Sequence, residues 1–126
     1  MTANPVPLVL VFEPDKIQRD LIQLCLSRIG CDILLVRSAE QVLPMLSKNY
    51  PSMFILDTFI PGTSGLEILA ELNQKKALKH TIVLVLSSFS FPDIIQQAKG
   101  LGVNEFLMKP LDTEEFTNRV KSLLKI

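Results

Sequence analysis

Apolar residues in this chain come in short unbroken blocks, each followed by a stretch where they recur every three or four positions. Leu8 to Phe12 is the first block, the pattern of a strand covered on both faces. A helical stripe of Ile17, Leu21, Leu24 and Cys25 follows, and Gly30 is placed to stop it. Residues 33–36, ILLV, predict a second strand. Ser38 with Gln41 resembles a capping box, opening a helix through Val42, Leu43 and Leu46. Pro44 lies inside that helix, where its missing N–H should kink or shorten it.

The third block, MFILD, ends on Asp57, and Ser64 with Glu67 predicts the cap of a helix through Leu66, Leu69 and Leu72. TIVLVLSS is the fourth strand. Ser90 with Asp93 is placed to cap the next helix, with Phe89 stapled onto Ile94, and Gly100 and Gly102 end it. EFLMK is the fifth strand, and Asp112 with Glu115 opens a last helix whose stripe is Phe116, Val120, Leu123 and Leu124. Five strands alternating with five helices across short loops predict an α/β fold, a five-stranded parallel sheet doubly wound with helices on both faces. No linker, repeat or low-complexity segment interrupts it, so a single domain over residues 1–126 is expected, with its core over about 8–124.

Composition narrows the functional classes. Apolar residues make up 48% and charged residues 21%, ordinary for a globular chain of one core. Thirteen acids balance thirteen bases and neither sign clusters, which argues against nucleic acid or an anionic membrane as the main partner. No apolar run approaches the roughly 20 residues that span a bilayer. The opening MTANPVP lacks the regions of a secretion signal, so a cytoplasmic protein is expected. Cys25 falls in an apolar stripe, Cys31 follows a turn, and His80 sits in a polar connection. None has a second ligand at metal spacing, so reduced thiols and no zinc site are expected.

In a sheet of this kind, ligands bind beyond the carboxyl ends of the strands, where strand order reverses. The first strand runs into Glu13, the third into Asp57, the fourth into Ser87 and the fifth into Lys109. The second ends at Arg37, which no matching acid or hydroxyl singles out. Two carboxylates, a hydroxyl and an amine at one edge suit phosphoryl chemistry. An aspartate can accept a phosphoryl group, and a lysine and a divalent cation can neutralise the charge on its oxygens. Each residue alone would be an ordinary wet strand end. Their joint occurrence carries the reading.

The segment FILDTFIPGTSGLEIL resembles the phosphoacceptor segment of bacterial response-regulator receiver domains, with Asp57, Pro61 and Gly65 at the family's Asp, Pro and Gly. VLVLSS resembles the family's fourth strand, with the hydroxyl of Ser87 and the small Ser88. EFLMKP resembles the fifth, with Phe106, Lys109 and Pro110. The resemblance runs from Leu8 to Leu124 and implies a CheY-like, flavodoxin-like (βα)5 architecture. It implies a signalling switch in a His-Asp phosphorelay, not an enzyme in the ordinary sense, though one that assists its own phosphoryl transfer and dephosphorylation. Asp57 would take a phosphoryl group from a histidine kinase or a histidine phosphotransfer protein. Lys109 would pair with it and Ser87 would hold a phosphoryl oxygen. Phe106 would turn inward, changing the face of helix four, strand five and helix five, where a downstream protein or a second copy would dock.

The chain also departs from the family pattern. With Arg19 in register, Glu13 stands at the first of the family's two adjacent acids and Pro14 at the second. The resemblance therefore implies a weakened Mg²⁺ site made of Glu13, Asp57, the backbone carbonyl of Phe59 and waters. Asp15 is either a substitute ligand or the start of the first helix, and a proline beside a helix start fits the second role better. Phe59 and Phe89 would flank the phosphoryl group. They would either exclude water and slow hydrolysis of the phosphoaspartate or pack locally. Pro14 leaves open a pseudo-receiver, a phosphorylation-independent interaction module. A nucleotide-binding reading finds no G-x-G-x-x-G and no G-x-x-x-x-G-K-[ST]. No output segment follows the last helix, so a complete single-domain regulator and a receiver cut from a longer chain both stand as expectations.

Overall fold

A computed structural model describes residues 6–89 and 91–126. The chain alternates β1 (Leu8–Phe12), α1 (Lys16–Arg28), β2 (Asp32–Leu35), a 3-10 turn (Ala39–Gln41) leading into α2 (Val42–Asn49), β3 (Met53–Asp57), α3 (Gly65–Gln74), β4 (Ile82–Ser87), α4 (Pro92–Gly100), β5 (Glu105–Met108) and α5 (Thr113–Leu124). All pairings are parallel, in the order β2-β1-β3-β4-β5. This is the flavodoxin-like order, and it reverses between β1 and β3. The carboxyl ends of those strands therefore open onto the crevice where such sheets bind ligands.

Alternation along each strand divides the core in two. Val9, Val11, Met53, Ile55, Leu84, Leu86 and Leu107 join Ile22, Cys25 and Leu26 of α1 and Phe116 and Val120 of α5. Leu10, Phe12, Phe54, Leu56, Val83 and Val85 join residues of α2, α3 and Ala98 of α4. Burying each large apolar side chain contributes roughly 1.5–3 kcal/mol. Both faces are therefore held by apolar contact, and the polar residues collect at the carboxyl edge.

Several local expectations need correction. β2 begins and ends one residue early, since Leu8 pairs with Asp32 and Val11 with Leu35. β4 and β5 are a residue or so shorter than read. On α1 the stripe of Ile17, Leu21, Leu24 and Cys25 is only partly the buried one. Ile22, Cys25 and Leu26 are buried, while Ile17 and Leu24 are exposed. The helix has more apolar positions than one stripe can hold, and packing against β1 and β2 selects among them. Ser38 makes no side-chain cap. Gln41 Oε1 instead accepts from the Arg37 N–H at 2.8 Å, behind the 3-10 turn. Pro44 therefore falls in the first turn of α2, where its missing N–H costs little.

Other expectations hold. Gly30 closes α1 with φ 82°, its N–H donating to the Ser27 carbonyl at 3.1 Å while Cys31 N–H donates to the Leu26 carbonyl at 3.1 Å. Ser64 Oγ accepts from Glu67 N–H at 3.1 Å, and Asp112 Oδ1 accepts from Glu115 N–H at 2.9 Å. The expected cap residue Ser90 lies outside the described residues. Phe91 stands at the N-cap of α4, with Pro92 in the first turn. Phe89 lies two residues before this N-cap. It stacks on Phe91, with ring centroids 5.9 Å apart and planes 7° from parallel. No described helix is long and apolar enough to cross a membrane.

Candidate functional site

The alternation that points Val9, Val11, Met53, Ile55 and Leu107 toward α1 and α5 continues to Asp57, the last residue of β3, and one residue past β1 and β5 to Glu13 and Lys109. These three side chains meet. The Lys109 ammonium contacts Asp57 Oδ2 and Glu13 Oε1 together. The remaining oxygens are held by the main chain. Asp57 Oδ1 accepts from Phe59 N–H at 2.8 Å, and Glu13 Oε2 accepts from Asp15 N–H at 3.2 Å. Glu13 and Asp57 are only 2% and 5% exposed, so the cluster lies out of bulk water.

One ammonium between two buried carboxylates leaves an excess of negative charge. Burial pushes the Glu13 carboxyl above the usual glutamate range, and the Asp57 charge adds to this against the hydrogen bond from Lys109. Burial alone would pull the Lys109 ammonium down. Its hydrogen bonds to Asp57 and Glu13 outweigh that and hold it above the ordinary lysine value. Lys109 therefore stays charged, and Glu13 takes up a proton more readily than a free glutamate does.

The β1–α1 loop explains how Glu13 is presented. Asp15 Oδ2 accepts from Gln18 N–H at 3.0 Å, so Asp15 is the N-cap of α1 and its carboxylate is used there. Arg19 Nη1 donates to the carbonyls of Glu13 at 3.0 Å and Pro14 at 3.2 Å. Arg19 served the sequence reading only as a register mark. Its place one turn into α1, facing a proline-containing loop, was the available signal for this role. Gly65 meets the other side of the site. Its N–H donates to the Thr58 carbonyl at 2.9 Å, and a Cβ there would collide with the Asp57 carbonyl. Only a glycine lets α3 start so close to the end of β3.

Ser87 is fully buried but is not part of this cluster. Its place in the alternation of β4, after Val83 and Val85, puts it on the opposite sheet face, where Thr58 follows Phe54 and Leu56. Thr58 Oγ1 and Ser87 Oγ are 2.9 Å apart, and Ser87 Oγ also bonds the main chain of Phe89. Ser88, rather than Ser87, lines the cavity of about 420 Å³ over Asp57, with Glu13, Thr58, Phe59, Phe89 and Lys109. Phe59 and Phe89 stand at its mouth, 72% and 53% exposed. Phe106 is half-buried against the core on the α2–α4 side.

Among the described residues, no group of three or more His, Cys, Asp or Glu side chains is placed to hold a metal ion. The carboxylates lining the cavity are those of Glu13, Asp15 and Asp57, and Asp15 is engaged as the cap of α1. Pro14 offers no side-chain donor, and its carbonyl is engaged by Arg19. Two carboxylates with waters suit Mg²⁺, which keeps several waters and needs few protein ligands. A cation here would share both carboxylates with Lys109.

Residues 9–121 match the protein family described as the response regulator receiver domain. Among curated relatives, the alkaline phosphatase synthesis transcriptional regulatory protein PhoP of Bacillus subtilis is 26% identical over 93% of this chain and 48% of its own length. This chain thus spans about half of that relative. Protein PilG of Pseudomonas aeruginosa is 27% identical over 90% of this chain and 84% of its own. The crystal structure of the signal receiver domain of a LuxO repressor protein from Vibrio parahaemolyticus superposes with a TM-score of 0.87, covering 96% of this chain and 92% of that one. At 24% identity, that likeness bears on the fold.

Proposed function

The chain belongs to the response regulator receiver domain family, and from that premise we propose that it is a phosphoacceptor switch in which Asp57 takes the phosphoryl group. The observation carrying this reading is the shared ion pairing of Lys109 with Asp57 and Glu13 at the crevice of the sheet. An Asp57 carboxylate oxygen attacks the phosphorus of a phosphohistidine on a kinase or phosphotransfer protein. The P–N bond breaks, and its electron pair leaves with the imidazole nitrogen. Lys109, already charged and held beside Oδ2, faces the negative charge brought in with the phosphoryl oxygens. Hydrolysis is the reverse kind of displacement, with water attacking phosphorus and the Asp57 carboxylate leaving.

Glu13, Asp57 and the Phe59 carbonyl, with waters, would hold Mg²⁺, the cation that receiver domains generally bind at acidic residues. When bound, that ion neutralises phosphoryl oxygens as a Lewis acid. The downstream reading is a change at the face of α4, β5 and α5, where Phe106 is half-buried and Met108 is 41% exposed, met by another protein or a second copy. Residues 1–126 act in this reading as one receiver unit in the cytoplasm, not as an enzyme with an outside substrate.

A second reading, a phosphorylation-independent interaction module, draws on Pro14, on the exposed rings of Phe59 and Phe89 at the cavity and on exposed Phe91 stacked against Phe89. Incubation with acetyl phosphate, with and without Mg²⁺, followed by intact mass measurement, separates the two. A single phosphoryl adduct that is lost in Asp57→Asn supports the switch. No adduct at any Mg²⁺ concentration supports the interaction module.

A further inference from the structure

The hydrogen bonds of Ser87 can be assigned without ambiguity. A hydroxyl has one proton to give. The Phe89 carbonyl can only accept, and it lies 2.8 Å from Ser87 Oγ, so the Ser87 proton is directed there. Thr58 Oγ1, 2.9 Å away, must then be the donor in the Thr58–Ser87 bond. Phe89 N–H donates to the same Ser87 oxygen at 3.1 Å. Every hydrogen-bonding site of Ser87 is thus in use, and none points to Asp57.

A hydroxyl that is to donate to a phosphoryl oxygen must first withdraw its proton from Phe89. Moving the oxygen also strips Thr58 of its acceptor and the Phe89 N–H of its own. Sheet alternation adds a second obstacle, since Ser87 lies on the face of Thr58 and not on that of Asp57. We propose that Thr58 is a positioning residue whose hydroxyl, together with the Phe89 main chain, parks Ser87 away from Asp57 and so sets how readily Ser87 reaches a phosphoryl oxygen. This rests on the reading of Asp57 as phosphoacceptor. It adds that the residue following the acceptor governs the switch hydroxyl on the sheet face they share, opposite that of Asp57.

Thr58→Val keeps the shape and removes the donor. Ser87 would still have Phe89 as partner, so no buried polar group is orphaned. The test uses ¹⁵N NMR of the full chain and binding of beryllofluoride, a phosphoryl mimic, in the presence of Mg²⁺. Without ligand, the Phe89 amide resonance should shift in Thr58→Val and its exchange with solvent should speed up. Beryllofluoride should bind roughly three- to tenfold more tightly, the effect of losing one neutral hydrogen bond in the parked state. The gain should vanish when Thr58→Val is combined with Ser87→Ala, and Thr58→Ser should behave as the unsubstituted chain.

An unmoved Phe89 amide would overturn the proposal, as would the same gain in the Ser87→Ala background. Binding that appears only once Thr58 is replaced would support it. If neither the unsubstituted chain nor Thr58→Val takes beryllofluoride, the Asp57 reading fails, while the Phe89 amide still reports independently on whether Thr58 holds Ser87.

Discussion

The ammonium of Lys109, at the end of β5, is paired with Glu13, at the end of β1, across the two strands between them. Asp57 lies against the same ammonium. A single cation thus offsets two buried carboxylates.

Replacing Lys109 with Met removes the only charge that offsets Glu13 and Asp57 within the cluster. Unfolding free energy should fall by about 1–3 kcal/mol at neutral pH, because two buried carboxylates then face each other uncompensated. Urea titrations should show the loss shrinking as the pH is lowered and Glu13 takes up a proton. A loss that does not change with pH would mean that Glu13 is not the group responding.

The raised pKa of Glu13 predicts a direction for the pH dependence. The native state binds this proton more tightly than the unfolded chain, so stability falls as pH rises from the ordinary glutamate range through the raised native value. Glu13→Gln should flatten that part of the profile in metal-free protein, from the ordinary glutamate range upward. The elevated pKa of Lys109 works at the other end, where its contribution persists at neutral pH and is lost as alkaline pH rises through its native value. Denaturant midpoints across pH, for the unsubstituted chain and Glu13→Gln, measure both limbs.

Pro14→Asp would restore a carboxylate between Glu13 and the N-cap Asp15. The Mg²⁺ concentration giving half-maximal acetyl phosphate labelling of Asp57 should drop roughly tenfold, since ligand charge sets affinity at such sites. Labelling that keeps the same metal dependence would place the cation away from the β1–α1 loop.

Phe59 and Phe89 line the cavity over Asp57 yet stand largely exposed at its mouth. If their rings limit water at phosphorus, Phe59→Asn and Phe89→Asn should each shorten the phosphoaspartate lifetime. Decay of the mass adduct after donor removal measures this. Equal lifetimes would assign the rings to the protein surface alone.

Gly65→Ala should push α3 off the end of β3, because the added methyl meets the Asp57 carbonyl. A loss of about 1–3 kcal/mol is expected, as for other overpacked sites. The labelling rate of Asp57 should fall with it, since the backbone that moves is the one carrying the acceptor.

Much of this site was legible before folding. Glu13, Asp57 and Lys109 each terminate an apolar run, and strand-end position in a doubly wound sheet is enough to bring them to one edge. The caps at Ser64 and Asp112 were legible because such bonds join residues three apart in sequence. The sequence allows Asp15 as ligand or cap, and the hydrogen bond it accepts from Gln18 N–H makes it the cap. The bond between Thr58 and Ser87 was not legible, since twenty-nine positions separate them and each hydroxyl alone reads as a wet strand end.

The sequence by itself determined the order and kind of elements, the parallel sheet and the acids and amine at its edge, because strand and helix periodicities are local properties of the chain. Tertiary structure alone decided which apolar stripe of α1 is buried. It also paired Lys109 with Glu13 as well as Asp57, and turned Ser87 toward Thr58 and Phe89. Those outcomes depend on packing and on which neighbours compete for one donor, and they exist only once distant segments share a surface.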